Sequence, residues 1–206
     1  MPVRNETVEA FLTQLAARVP APGGGATAAL HAAQSASLVA MVARYSNGAR
    51  YNVGLMARIV AEADGLRHEA LSLAEADAAA FGAVSDAYQL PKETSEQRQS
   101  RSAAIEAALT GAAQPPAGVI RTAARLIELS DELLPAGNRN VITDVAAAAE
   151  AARAAAVTSR VNIEVNLRGI SDAAVRAGFV ATAAAADEIT ARADRIVAAV
   201  RDEVAR

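Results

Sequence analysis

No cysteine occurs in the 206 residues, which excludes disulfides, iron–sulfur clusters and thiolate zinc sites. Histidine is nearly as scarce: His31 and His68 are the whole complement, so a histidine-rich metal centre is excluded, while a carboxylate site is not. Aromatic residues make up 3% of the chain, so any core is built from small aliphatic side chains. Of the 20 basic residues only Lys92 is lysine. There is no basic patch of the kind nucleic-acid binding needs, and the net charge of −3 points the same way. The segment MPVRNETVEAF lacks the charged-then-apolar layout of a signal peptide. The run from Gly24 to Ala43 is the one membrane candidate. It carries His31, Gln34, Ser35 and Ser37, is otherwise rich in alanine, and reads as a buried helix. The expectation is a cytoplasmic protein with neither a nucleic acid nor a membrane as partner.

What the chain does have is alanine and helical punctuation. Hydrophobic residues reach 52%, and alanine, the best helix former, lets helices approach closely. Helical periodicity runs through nearly every segment, with no strand-like alternation, hairpin dipeptide, linker or repeat. A short first helix begins near Asn5 or Thr7. A second spans about Gly25 to Tyr45 and stops at Ser46-Asn47-Gly48. A third spans Asn52 to Gln89, before Pro91. A capping-box pattern, Thr94-Ser95-Glu96-Gln97, opens a fourth, predicted to end before Pro115-Pro116. A fifth covers Ala117 to Leu134, and a sixth runs from Thr143 towards Leu167. Gly169 breaks the pattern, and Ser171-Asp172 caps a last helix. The fold class predicted is all-α: a single up-and-down bundle of six to seven helices, some long, in one domain.

Four features carry candidate chemistry. Pro20-Ala21-Pro22-Gly23-Gly24-Gly25 separates the first two helices with more punctuation than a turn requires. Glycines Gly23, Gly24 and Gly25 let a backbone approach another surface, and the helix behind them offers unpaired N–H groups; a plain connector is the other reading. Asp77 lies in LSLAEADAAAFGAVSDAY, and its helical neighbours Leu66, Ala70, Leu73, Ala74, Ala80, Phe81, Val84 and Tyr88 are all apolar or aromatic. Burial raises a carboxylate's pKa, which suits a general acid or base, although a structural bridge between helices has the same signature. Asp64 is the contrast, with Arg67 and His68 beside it. Lys92, in Leu90-Pro91-Lys92, is placed to meet an anionic group or is an ordinary surface lysine. Finally, Asp144 follows Gly137-Asn138-Arg139-Asn140, Asn162 lies about five turns further on the same face, and Asn166 one turn beyond. Paired amides match the edge of a heterocycle or bond between helices.

Together these pieces resemble the cyclodeaminase/cyclohydrolase family of folate one-carbon enzymes. The resemblance rests on the order of Pro-Ala-Pro-Gly-Gly-Gly with Met41-Val42, Asp77-Ala78-Ala79-Ala80-Phe81, Leu90-Pro91-Lys92, Arg101, Pro116, Gly137-Asn138 through Asp144, and Val161-Asn162-Ile163-Glu164-Val165-Asn166. It implies Asp77 as the catalytic carboxylate and folate contacts at Gly23, Gly24, Gly25, Lys92, Arg101, Asn138, Asp144, Asn162 and Asn166. It further implies a helical homodimer with the folate near the subunit contact. The activity implied is hydrolysis of methenyltetrahydrofolate to 10-formyltetrahydrofolate, with formiminotetrahydrofolate cyclodeamination and a non-catalytic folate- or partner-binding bundle as alternatives. No metal and no cofactor beyond the folate substrate are implied. The stretch Tyr45-Ser46-Asn47-Gly48-Ala49-Arg50-Tyr51 departs from the family pattern of threonine, glycine and a lysine pair. Arg50 is the one partial substitute.

Overall fold

The caps read from the sequence set the helices. In a computed structural model that describes residues 3–206, Thr7 accepts from Ala10 N at 3.1 Å and starts α1 (Val8–Ala16). α2 (Gly24–Tyr45) follows the glycine segment with Gly23 as its N-cap, and the Ala21–Pro22 peptide is cis. Asn52 accepts from Leu55 N and opens α3 (Val53–Gln89). Thr94 and Gln97 form the reciprocal capping box of α4 (Ser95–Ala136). α5 (Ile142–Asn166) comes next. Asp172 accepts from the Ala174 and Val175 amides to start α6 (Ala173–Val204). Single 3-10 turns precede α1, precede α5 and follow it. Between α2 and α3 the chain turns at Gly48, whose φ of +95° favours glycine.

One boundary differs from expectation. Pro115 and Pro116 do not end a helix; both lie within α4, which runs through 42 residues, roughly 63 Å at 1.5 Å per residue. Proline removes an N–H and crowds the preceding turn. Here the helix continues because Pro115 through Ile120 are all buried, so the packing of the prolines and of the turn after them outweighs the local defect. The all-α reading stands, with six α-helices among the described residues.

The bundle is up-and-down: α2 packs on α3, α3 on α4, α4 on α5 and α5 on α6, each next to its neighbour in sequence. α5 is central, touching α2, α4 and α6. Its inward positions are small: Ala148, Ala149, Ala152, Ala155 and Ala156 are fully buried. α2 presents Ala28, Ala29, Ala32, Ala36 and Ala40, also fully buried. Alanine against alanine lets backbones come close. α2 is also the one described helix long and apolar enough to span a membrane, and here its apolar face is spent on this core.

Arginine latches the outside of the seams. Arg44 joins α2 to Asp64 of α3, where Arg67 also bonds the same carboxylate, while His68 bonds the Asp64 carbonyl instead. Arg125 of α4 bonds Glu62 of α3, and Arg58 of α3 bonds Glu132 of α4. Arg192 of α6 reaches Asp131 of α4 at 2.5 Å. Arg153 and Arg160 of α5 reach Asp194 and Asp187 of α6. The paired guanidinium groups hold Glu62 and Asp64 below the ordinary carboxylate range. Bonds this exposed contribute about 0–1 kcal/mol each, so they fix alignment while burial of the apolar core supplies most of the stability.

Candidate active site

The N-terminus of α2 meets the middle of α3 at a point where only glycine fits. A β-carbon on Gly25 would stand 2.0 Å from Asp77 Oδ1 and 2.4 Å from its carboxyl carbon. The carboxylate thus nests against the first turn of α2. One residue earlier, a β-carbon on Gly24 would lie 3.8 Å from Asn162 Nδ2 on α5. The glycine segment therefore packs against the α3 carboxylate and stands beside the α5 amide.

These residues open onto a cleft of about 570 Å³. The glycine segment Gly23–Gly25 forms one wall, and α3 forms another with Asp77, Phe81, Val84 and Tyr88. Leu109 and Ala112 come from α4, and Asn162, Val165, Asn166 and Arg168 from α5 and the turn after it. The apolar face around Asp77 accordingly divides. Ala70 and Ala74 enter the core, whereas Phe81 and Tyr88 are 50% and 52% exposed on the cleft rim. Asp77 faces a half-buried cleft and not the sealed core, because the glycine segment covers only one side of it. A larger apolar groove of about 760 Å³ runs between α1 and α2 past Phe11, Leu30 and His31. It lies away from Asp77 and brings no carboxylate against a glycine backbone.

Burial pushes Asp77 above its ordinary value of 3.8. The Ala26 backbone N–H favours the ionised form and works against this as the smaller effect. Asn162 donates Nδ2 to the Thr158 carbonyl at 2.8 Å, and Asn166 donates to the Asn162 carbonyl at 3.0 Å. Both amides are thus oriented by their own helix. A carboxylate with a raised pKa, beside oriented amides and aromatic faces, can bind a flat cationic heterocycle and move a proton at it. Among the described residues no group of three or more His, Asp or Glu side chains is placed to hold a metal ion.

The structure gathers Gly23, Gly24, Gly25, Asp77, Asn162 and Asn166. It places the other four sequence candidates elsewhere. Arg101 on α4 donates to the Tyr88 carbonyl at 3.0 Å and stacks on the Tyr88 ring, so it braces the rim from behind. Lys92 is exposed on the α3–α4 connection, outside the residues that line the cleft. Asn138 caps the turn before α5 and donates Nδ2 to the Tyr45 carbonyl at 2.8 Å, tying the end of α2 to the start of α5. Asp144 lies in the first turn of α5, roughly 27 Å from Asn162 at 1.5 Å per residue. Arg50 stacks on Tyr51 and lines a polar hollow beside Asn138, at that same far end. The cation that does line the cleft is Arg168, which the sequence reading passed over. Its signal was position: it stands two residues beyond Asn166.

Residues 7–185 match the family model described as formiminotransferase-cyclodeaminase. The chain belongs to this family. A methenyltetrahydrofolate cyclohydrolase of Methylorubrum extorquens is 37% identical over 173 residues, covering 82% of this chain and 83% of that protein. The formimidoyltransferase-cyclodeaminase of Rattus norvegicus is 33% identical over 169 residues, which is 81% of this chain but 31% of the rat protein. A crystal structure of a formiminotetrahydrofolate cyclodeaminase from Thermotoga maritima superposes with a TM-score of 0.82 at 28% identity, covering 98% of this chain and 96% of that one. The resemblance read from ordered motifs and the all-helical fold are both established by these matches.

Two outcomes follow from the cyclodeaminase-family cleft. Gly25→Ala places a methyl inside the Asp77 carboxyl group; activity is expected to fall at least a hundredfold with the helical circular dichroism spectrum preserved. Asp77→Asn is expected to be more stable than the parent at pH 7. The folded chain holds the Asp77 proton more tightly than the unfolded chain, so stability falls as pH rises from 3.8 through the raised folded value. Thermal unfolding should show the variant's advantage at neutral pH and its disappearance below pH 3.8.

Proposed function

We propose that this enzyme acts in folate one-carbon chemistry by hydrolysing 5,10-methenyltetrahydrofolate to 10-formyltetrahydrofolate, with Asp77 as its acid–base group. The observation that carries the reading is the desolvated Asp77 carboxylate wedged against Gly25 in a cleft that also holds Asn162 and Asn166. The similarity to a named cyclohydrolase over most of both chains supports it.

The methenyl carbon bridges two nitrogens and shares a positive charge, which a carboxylate beside it stabilises. Water attacks that carbon and Asp77 takes its proton, leaving a neutral carbinol adduct. The carbon–N5 bond then breaks, the hydroxyl becomes the formyl carbonyl on N10, and N5 gains a proton, so one proton is released overall. Because the carbon is already electrophilic, the substrate and water suffice, and we assign no cofactor beyond the folate. Phe81 and Tyr88 offer flat apolar faces to the ring system. Arg168 is placed for a carboxylate of the glutamate tail, a role that Lys92 fits less well from outside the cleft.

The second reading within the family is cyclodeamination of formiminotetrahydrofolate, in which the same carboxyl passes a proton to departing ammonia; the Thermotoga neighbour favours it. We also read the protein as a cytoplasmic homodimer that binds neither nucleic acid nor membrane. The exposed stripe Val157, Val161 and Val165 on α5 runs beside the cleft and supports a covering second copy. Such a copy also offers Asn138 and Asp144 a way to reach a folate that their own chain denies them.

Purified protein mixed with methenyltetrahydrofolate at neutral pH is expected to bleach its absorbance faster than buffer does, and Asp77→Asn is expected to lose at least a hundredfold of that rate. Equal rates in both proteins remove Asp77 from the chemistry. Ammonia release from formiminotetrahydrofolate, with no turnover of the methenyl compound, selects the second reading. Light scattering after size exclusion is expected to give twice the 21.0 kDa chain mass.

A further inference from the structure

The end of α3 carries a half-exposed ring, and the group that grips it comes from α4. Tyr88 stands in the last turn of α3, and that turn contains no basic residue of its own. The last carbonyls of a helix lack helical partners and attract a cation. Arg101, in the second turn of α4, supplies one. Its Nη2 donates to the Tyr88 carbonyl at 3.0 Å, and its guanidinium carbon lies 5.6 Å from the centre of the Tyr88 ring. One side chain thus holds both the backbone and the ring of the same residue. The seam arginines pair with carboxylates, whereas Arg101 Nε is buried without a hydrogen-bond partner among the described residues. A buried donor left unbonded is costly. This guanidinium therefore keeps its place over the ring at the loss of a hydrogen bond.

Tyr88 lines the cleft and Arg101 does not. Asp77 and Tyr88 share one face of α3, roughly 16 Å apart at 1.5 Å per residue. Helical side chains lean towards the N-terminus, which brings the Tyr88 ring back towards Asp77. With the methenyl carbon at Asp77, the part of the folate that reaches Tyr88 lies beyond N10 and is the p-aminobenzoyl ring. Resting on the folate reading above, we propose that Tyr88 is the stacking platform for that ring and that Arg101 is the positioning residue that holds the platform. Arg101 touches no ligand atom. It occupies one face of the phenol ring and restricts its rotamers, so the ring is set before the ligand arrives.

A double-mutant cycle separates action through Tyr88 from any other role of Arg101. Arg101→Met is expected to raise KM for methenyltetrahydrofolate about fivefold, with kcat within about twofold of the parent. Tyr88→Ala is expected to raise KM about tenfold. In the Tyr88→Ala background, Arg101→Met is expected to add less than about twofold. p-Aminobenzoylglutamate is expected to compete with the substrate in the parent, and several-fold more weakly in Arg101→Met. An unchanged KM in Arg101→Met overturns the proposal, as does a full further loss in the double variant, which would mean that Arg101 acts on the ligand or the fold without Tyr88. Absent or equal inhibition by p-aminobenzoylglutamate overturns it too. Should Arg101→Met fail to fold, the same cycle is run with Arg101→Lys, which keeps the charge but loses the planar stack. Failure of both to fold makes Arg101 a support of the bundle and overturns the proposal. Each of these results leaves the folate reading intact, whereas a parent chain that neither binds nor turns over methenyltetrahydrofolate overturns both.

Discussion

The contact between the Asp77 carboxyl group and the backbone of Gly25 is the constraint on which the site depends. It requires α2 to begin within van der Waals reach of the middle of α3. That approach is possible because the residue at the contact has no side chain and because the α2 face behind it is alanine for several turns. The same wedge that makes room for the acid also strips water from one side of it and raises its pKa. Proximity, desolvation and access thus have one cause. Larger residues along the α2–α3 seam would separate the helices and return Asp77 to solvent, with an ordinary acidity.

Arginine completes this arrangement from outside. Alanine faces are smooth and give a sliding helix pair little to hold its register. The guanidinium–carboxylate pairs supply that register, with two guanidinium nitrogens on one carboxylate across the α3–α4 and α4–α6 seams and single contacts across α5–α6. The scarcity of lysine follows. A flexible ammonium would leave the seams looser, and the chain uses arginine wherever two helices must be pinned.

The fold was legible because four of the six α-helices announce their start with a side chain that bonds the first turn, at Thr7, Asn52, Thr94 with Gln97, and Asp172, and the glycine segment marks the start of α2. The length of α4 was illegible for a physical reason. Local chemistry says that two prolines stop a helix, and only the burial of the prolines and of the turn after them, which no local pattern encodes, says otherwise. The site divides in the same way. Asp77 was visible as a carboxylate on an apolar face, and Asn162 and Asn166 as successive amides on one stripe. That the stripe's other end, at Asp144, lies some five turns away was also implied by the helical rise, yet resemblance grouped all of them. Arg168 carried only the signal of its position beyond Asn166, since a rim arginine becomes part of a site through what the fold sets opposite it.

A last consequence belongs to the solitary lysine. Lys92 stands exposed on the α3–α4 connection, four residues beyond the cleft-lining Tyr88, and it is the one side-chain amine in the sequence. Reagents that acylate amines therefore find a single side-chain address. A fluorophore attached there sits on the connection leading out of the cleft wall, on an exposed residue outside the cleft lining, and leaves the buried seam that holds the acid untouched.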